Sequence, residues 1–273
     1  MRLGISTWSL PWSVGVPGYP QPERPLDAID LVTRASDLGV EVLQIADNLP
    51  LHTLTEPELA HLAQAARRHG IALEVGTRGL DHEHLVRYID IAAQVGARAL
   101  RTVLPGAMLP ADDVATAEMA IRAVIGALDK HNVTLALENN EAFSALQYSQ
   151  LTQRIADPHV GICLDTANSV GRPEPLQTLV DQLGSFTVML HAKDYDIKRV
   201  GTRMGFCVVG RPAGSGRVDF DHLFDDLRAR GRNDISVIIE HWPPFEGTIE
   251  ATVQLEEEWV ATSVEFLRSK VGV

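Results

Sequence analysis

The chain has 273 residues, 45% of them hydrophobic, with 24 Lys+Arg against 36 Asp+Glu and a formal charge of −12. An acidic balance argues against nucleic acid and anionic membranes as partners, since both demand a basic footprint. Two cysteines, Cys163 and Cys207, argue against a disulfide framework, and no apolar run approaches the roughly 18 residues of a membrane span. The opening MRLGISTWSL runs straight into a strand pattern rather than a signal peptide, which reads as a soluble cytoplasmic protein.

In chain order, LGISTWS from Leu3 is the first predicted strand, followed by a loop rich in Pro, Gly and Trp from about Ser9 to Pro25. VEVLQIAD from Val40 is the second. Thr55 and Glu58 then have the S/T-x-x-E spacing of a capping box, and Gly70 ends that helix as a C′ residue. IALEVGT from Ile71 is the third strand. Asp81 caps the next helix, which buries Leu85, Tyr88, Ile89 and Ala92 and stops at Gly96. ARALRTVL from Ala97 is the fourth strand. Four further runs follow: VTLALENN closing on Glu138, VGICLDTAN with Asp165, FTVMLHAKD with His191 and ISVIIEHW with Glu240. A second long loop, Tyr195 to Arg217, separates the last two, and its centre reads as a small hairpin. The C-terminal helix carries Val260, Val264 and Leu267 on one stripe.

Continuous apolar runs suit parallel strands covered on both faces. Cys163 lies in one of them and packs as a small hydrophobe. Strand and helix alternating eight times predict one closed (β/α)8 barrel domain over residues 1–273. A doubly wound open sheet would want a Gly-rich turn after the first strand, and STWSLPWS is not one. Loops at the C-terminal face of a barrel carry function, so both long loops are lid candidates, the excursion after strand seven above all.

Ionised carboxylates are costly in apolar surroundings unless paired or metal-bound. The C-terminal ends of barrel strands meet at one mouth, so Glu138, Asp165, His191 and Glu240 are neighbours there. One nitrogen with three or more oxygens suits Mn²⁺, Mg²⁺, Co²⁺ or Zn²⁺, with positions left for water or substrate, and the donor set does not choose among them.

The strand-five Glu, strand-six Asp-Thr, strand-seven His-x-Lys-Asp and strand-eight Glu together resemble the xylose isomerase-like superfamily of sugar isomerases and epimerases, from LGISTW to VIIEHW. The resemblance implies a TIM barrel in which Glu138, Asp165, His191 and Glu240 hold the metal. It also implies that Glu138 and Glu240 act as the acid and base on opposite faces of a small sugar or sugar acid, through an enediolate. A homo-oligomer is implied too. Asn168, in DTANS, departs from the pattern, because many family epimerases and the related endonucleases have histidine there. An amide can hydrogen-bond a sugar hydroxyl but is a poor metal ligand and no proton shuttle. DTANS and the MGF…GRPAGSG excursion look more like a subgroup that includes decarboxylases of 3-oxo sugar acids such as 3-oxo-isoapionate. The leading expectation is an isomerase or epimerase of a keto-sugar or keto-sugar acid. A decarboxylase is its rival, and a non-catalytic sugar-binding barrel stands third.

Other residues are candidates for substrate contact. Alternation sends Lys193 to the side of His191, where it could neutralise a carboxylate, a phosphate or a developing oxyanion. Asn140 lies two residues beyond Glu138, and Arg101 could hold Glu138 or the substrate by its fork. Trp8 and His52 could wall the sugar pocket, and Arg203 in the excursion could clamp a carboxylate. His61, His69 and His131 read as surface residues. The Gly214-Ser215-Gly216 turn could cradle phosphate, although turn chemistry alone explains it.

Overall fold

The computed structural model describes residues 1–104 and 114–272. In chain order its strands are β1 (Arg2–Ser6), β2 (Val42–Ile45), β3 (Ala72–Arg78), β4 (Ala99–Val103), β5 (Thr134–Glu138), β6 (Val160–Asp165), β7 (Thr187–Ala192), β8 (Asp194–Arg199), β9 (Phe206–Arg211) and β10 (Ser236–Ile239). Eight of them close a parallel barrel in the order β1-β10-β7-β6-β5-β4-β3-β2, while β8 and β9 pair as a separate antiparallel hairpin. The helices between strands are α1 (Pro11–Val14), α2 (Ala28–Asp37), α3 (Glu56–His69), α4 (His82–Val95), α5 (Val114–Arg122), α6 (Ile125–His131), α7 (Ala145–Ile155), α8 (Leu176–Leu183), α9 (Phe220–Ala229) and α10 (Ile249–Val271). Among the described residues no helix is long and apolar enough to cross a membrane.

Local chemistry explains the boundaries. The Thr55 backbone N–H donates to Glu58 at 2.7 Å, closing the predicted box at the start of α3. Asp81 accepts from the His84 backbone N–H and starts α4. Gly70 and Gly96 end these helices with φ of 68° and 77°, a conformation that disfavours a β-carbon.

Two apolar layers hold the barrel. The larger lies between the strands and the surrounding helices, and Leu85, Ile89, Val260 and Leu267 belong to it. The smaller fills the barrel interior: Val42, Ala136, Cys163, Met189 and Ile238, one from each of five strands. Side chains on a strand return to the same face every second residue. Two positions further along those same strands stand Gln44, Glu138, Asp165, His191 and Glu240. A dry layer therefore serves as the floor on which a polar layer rests, and strand periodicity aims five polar side chains at the mouth. Burial pushes the Cys163 thiol up to about 12, so it remains a neutral packing group.

Two features outside the barrel shape the mouth. The first long loop contains α1, whose leading residue Leu10 has no side-chain capping group. Glu256 from the middle of α10 supplies the cap, accepting from the Trp12 N–H at 2.6 Å, the Ser13 N–H at 2.9 Å and the Ser13 hydroxyl at 2.7 Å. Burial outweighs those bonds and pushes the carboxyl up to about 7 from the ordinary 4.5. The folded state then binds more protons than the unfolded chain between those values, so stability falls as pH rises from about 4.5 to 7 and is flat above. The full difference is about 3 kcal/mol. Urea unfolding at pH 5 and pH 8 should show this loss in the natural chain and a much smaller one in Glu256→Gln; equal slopes would assign the pH dependence elsewhere.

The second feature is the β8–β9 hairpin, anchored by Asp194. Its carboxylate accepts from the backbone N–H groups of Tyr195, Gly214, Gly216 and Val218, at 2.8 to 3.1 Å. The Gly214–Gly216 turn thus cradles an anion of the protein itself, which accounts for it without phosphate. A β-carbon at Gly216 would lie 2.2 Å from that carboxylate and 2.5 Å from the Tyr195 carbonyl oxygen, so no larger residue fits. Hydrogen bonds to a charged group are worth about 1.5–3 kcal/mol each. Asp194→Ala is expected to cost on the order of 3 kcal/mol and to open the hairpin to limited proteolysis, with melting and cleavage read together; an uncleaved, equally stable variant would contradict the anchor.

Candidate metal centre and active site

Glu138 ends β5, Asp165 ends β6, His191 lies near the end of β7, and Glu240 follows β10. All four are at most 1% exposed, and one candidate ligand atom from each lies within 4.8 Å of the others. His191 Nδ1 is 3.6 Å from Glu138 Oε2, 3.7 Å from Asp165 Oδ2 and 3.4 Å from Glu240 Oε2. The predicted convergence of these four side chains is present.

Their hydrogen bonds orient them. His191 Nε2 lies 2.9 Å from Gln44 Oε1, and the Gln44 amide nitrogen is itself turned toward Glu74 Oε2 at 3.2 Å. The glutamine oxygen therefore accepts from an Nε2 proton, which leaves Nδ1 as the ring atom facing the carboxylates. Burial works against the charged imidazole, but the acidic groups around it raise it well above its ordinary value until a cation takes the proton's place. Asp165 Oδ1 accepts from the Ala167 and Asn168 backbone N–H groups at 2.8 and 2.7 Å. Ser6 Oγ donates to Glu240 Oε1 at 2.9 Å. The remaining atoms, Asp165 Oδ2, His191 Nδ1 and Glu240 Oε2, are buried and have no hydrogen-bond partner. Buried polar atoms without partners are rare and call for an occupant. Three such atoms around one point, with Glu138 completing the set, fit a divalent cation bound by one imidazole nitrogen and carboxylate oxygens.

Lys193 Nζ occupies the same neighbourhood, 2.9 Å from both Asp165 Oδ2 and Glu240 Oε2, as an ion pair without hydrogen-bond geometry. Burial alone would push the Lys193 ammonium down and these carboxyls up. Attraction prevails, so the lysine is raised, Asp165 is held below the usual carboxylate range chiefly by Lys193, and Glu240 is held well below it by His191 first and Lys193 second. The three carboxylates demand positive charge, and the lysine supplies some of it.

The fourth ligand candidate is held differently. Glu138 Oε2 accepts from Arg101 Nε, and Oε1 accepts from Asn168 Nδ2 at 2.5 Å. Arg101 Nη1 donates in turn to Asp47 Oδ1 at 2.9 Å. Asp47 also accepts from Trp8 Nε1 at 3.2 Å and Arg78 Nε at 3.1 Å. Burial resists its ionisation, but Arg101 and Arg78 keep its carboxyl below the usual range.

These groups border a cavity of about 360 Å³. Of the candidates read from sequence, Glu138, Glu240, Lys193, Asn140, Asn168, Arg101 and Trp8 line it, while Asp165 and His191 are fully buried and reach the lining only through their contacts with Lys193, Glu138 and Glu240. Asn140 reaches it with an amide already engaged: it donates to the Leu104 carbonyl and accepts from the Tyr148 hydroxyl and the Ala142 N–H. Two candidates are placed elsewhere. Arg203 lies exposed in the turn between β8 and β9, where it offers no clamp to this cavity. His52 lies outside the lining and contacts the Tyr88 hydroxyl through Nδ1 at 2.7 Å. The hairpin does meet the rim near its base, because a β-carbon at Gly210 would lie 3.0 Å from the carbonyl oxygen of Trp242, a lining residue.

Ser6, Gln44, Asp47, Arg78 and Trp242 were not legible as site residues by the strand-end rule applied to the second half of the chain. Asp47 ends VEVLQIAD as Glu138 ends its own run, and a glutamine inside an apolar strand is a comparable signal. A search of every strand for buried polar positions would have found Gln44 and Asp47.

The chain matches the family described as "Xylose isomerase-like TIM barrel" over residues 32–270. It is 33% identical over 273 residues to a 3-oxo-isoapionate decarboxylase of Pectobacterium atrosepticum, covering 99% of this chain and 96% of that protein. Among solved structures, D-psicose 3-epimerase from Clostridium cellulolyticum H10, with D-tagatose, superposes with a TM-score of 0.77 at 15% identity over 100% of both chains. A xylose isomerase-like TIM barrel protein from Mycobacterium smegmatis, in complex with magnesium, gives 0.69 at 16% identity over 97% of each. The chain belongs to the xylose isomerase-like TIM barrel family.

Proposed function

We propose that this protein is a divalent-metal-dependent lyase that decarboxylates a 3-oxo sugar acid. The observation that carries this reading is the condition of Glu138, whose two oxygens accept from Arg101 and Asn168. Epimerisation through an enediolate needs a carboxylate on each side of the carbon, free to take or return a proton. Decarboxylation needs no base at that step: the bond to the carboxyl carbon breaks, CO₂ leaves, and its electron pair passes to the 3-oxo oxygen. A bound cation, Mn²⁺ as first choice, would supply several kcal/mol of Lewis-acid stabilisation to that oxygen.

The chain's own groups supply the remainder. Lys193 is an ammonium at the cavity wall, suited to pairing with the substrate carboxylate before bond cleavage and to donating a proton to the carbon afterwards. Arg101 holds Glu138 in place beside the ligand set. Trp8 and Trp242 offer apolar surface against a sugar skeleton. The 33% identity to the decarboxylase across nearly the whole chain supports the same reading. An isomerase or epimerase stands second, favoured by Glu240 Oε2, which accepts no hydrogen bond.

Incubation with 3-oxo-isoapionate and Mn²⁺ should release CO₂ in stoichiometric amount, and the product formed in D₂O should carry one deuterium. Solvent deuterium entering recovered ketoses such as D-psicose, with no CO₂ from the sugar acid, would replace this reading with the second.

A further inference from the structure

A second cavity, also of about 360 Å³, lies directly beyond the first. Trp8 and Arg78 line both and form the boundary between them. Its other walls come from the first long loop, through Pro11, Val16 and Pro17, and from Asp47 and Asn48 after β2. The boundary side chains are fixed, because Asp47 accepts from Trp8 Nε1 and from Arg78 Nε. The Arg78 side chain is 55% exposed, donates from Nε to Asp47, and lines both cavities. Ligand pockets for small molecules run from about 300 to 1,000 Å³. The inner cavity alone is at the lower edge of that range, enough for one sugar acid, and the outer cavity is then surplus to it.

We infer that the outer cavity is a subsite for a second sugar ring, carried by the sugar acid through a glycosidic oxygen. The inference rests on the sugar-acid reading above and extends its substrate class. The walls suit such a ring: the faces of Trp8, Pro11, Val16 and Pro17 match the apolar C–H face of a pyranose. Arg78 supplies donors for hydroxyls at the boundary, where the glycosidic oxygen would pass. The loop carrying Pro11 and Val16 is pinned by Glu256 through α1, so this wall is built before any ligand arrives.

Calorimetry on the Mg²⁺-loaded protein tests this without turnover, using gluconate against its 4-O- and 6-O-glucosyl derivatives, maltobionate and isomaltobionate. The better of the two should bind at least tenfold more tightly than gluconate. Val16→Trp, which fills the outer cavity, should abolish that advantage and leave gluconate binding unchanged, which also reports that the variant is folded. Pro17→Trp serves the same purpose should Val16→Trp not fold. Gluconate binding with no gain from the glucosyl ring, or a gain that survives both substitutions, would overturn the outer subsite and leave the sugar-acid reading standing. Binding of none of the three acids would remove that reading, and the subsite with it.

Discussion

Asp165→Asn and His191→Ala should each lower divalent-cation affinity by at least a hundredfold and reduce turnover to background. Both remove a buried atom that has no hydrogen-bond partner and is aimed at the common point. Outer partners of metal ligands alone typically contribute 10–100-fold to affinity or activity, so loss of a ligand must exceed that. Gln44→Leu supplies the graded comparison: it frees His191 Nε2 and should cost about 10–100-fold in affinity, because the imidazole loses the contact that sets its tautomer. Titration calorimetry with Mn²⁺ on the three variants would give this order. Equal, near-natural affinities would separate these residues from any metal.

Lys193→Met should split two quantities that usually fall together. Lys193 Nζ lies 2.9 Å from both Asp165 Oδ2 and Glu240 Oε2, so a cation entering the site has to displace an ammonium. Without the lysine the metal meets no competitor, and affinity should rise about tenfold, equivalent to roughly 1.4 kcal/mol. The metal-free protein should lose stability in exchange. Removing one partner of a buried ion pair costs about 3–5 kcal/mol, since the charges left behind have nothing to offset their desolvation. Added Mn²⁺ should therefore raise the melting temperature of the variant more than that of the natural chain. Turnover should fall roughly 10²–10⁴-fold, the usual contribution of a positioned proton-transfer group. Weaker metal binding in Lys193→Met would contradict the competition, and undiminished turnover would remove the lysine from the reaction.

The barrel and the four convergent side chains were legible because both follow from strand periodicity. Apolar runs marked the strands, and a polar residue at the end of each run marked the mouth. The same alternation sends Lys193 to the side of His191, where its Nζ reaches Asp165 and Glu240, and Arg101, read as holding Glu138 or the substrate, pairs with Glu138. What the sequence hid is how charges divide among neighbours. Nothing in the spacing of Asp47 shows that it accepts from Trp8, Arg78 and Arg101 at once, because those residues come from three other strand regions. Asn140 had the correct position, yet Tyr148 and Leu104 engage its amide, a competition that only packing discloses. Arg203 illustrates the limit for hairpins: its residue type suits a carboxylate, but its place in the turn sets it in solvent.

The central claim is that Glu138, Asp165, His191 and Glu240 share one divalent cation through the Nδ1 side of the imidazole. Anomalous diffraction from crystals soaked in Mn²⁺ tests it directly. The expected result is a single strong peak about 2.0–2.3 Å from His191 Nδ1 and from oxygens of the carboxylates, with Lys193 Nζ moved aside. A peak at Nε2, a peak elsewhere in the barrel, or none at saturating Mn²⁺ would contradict it.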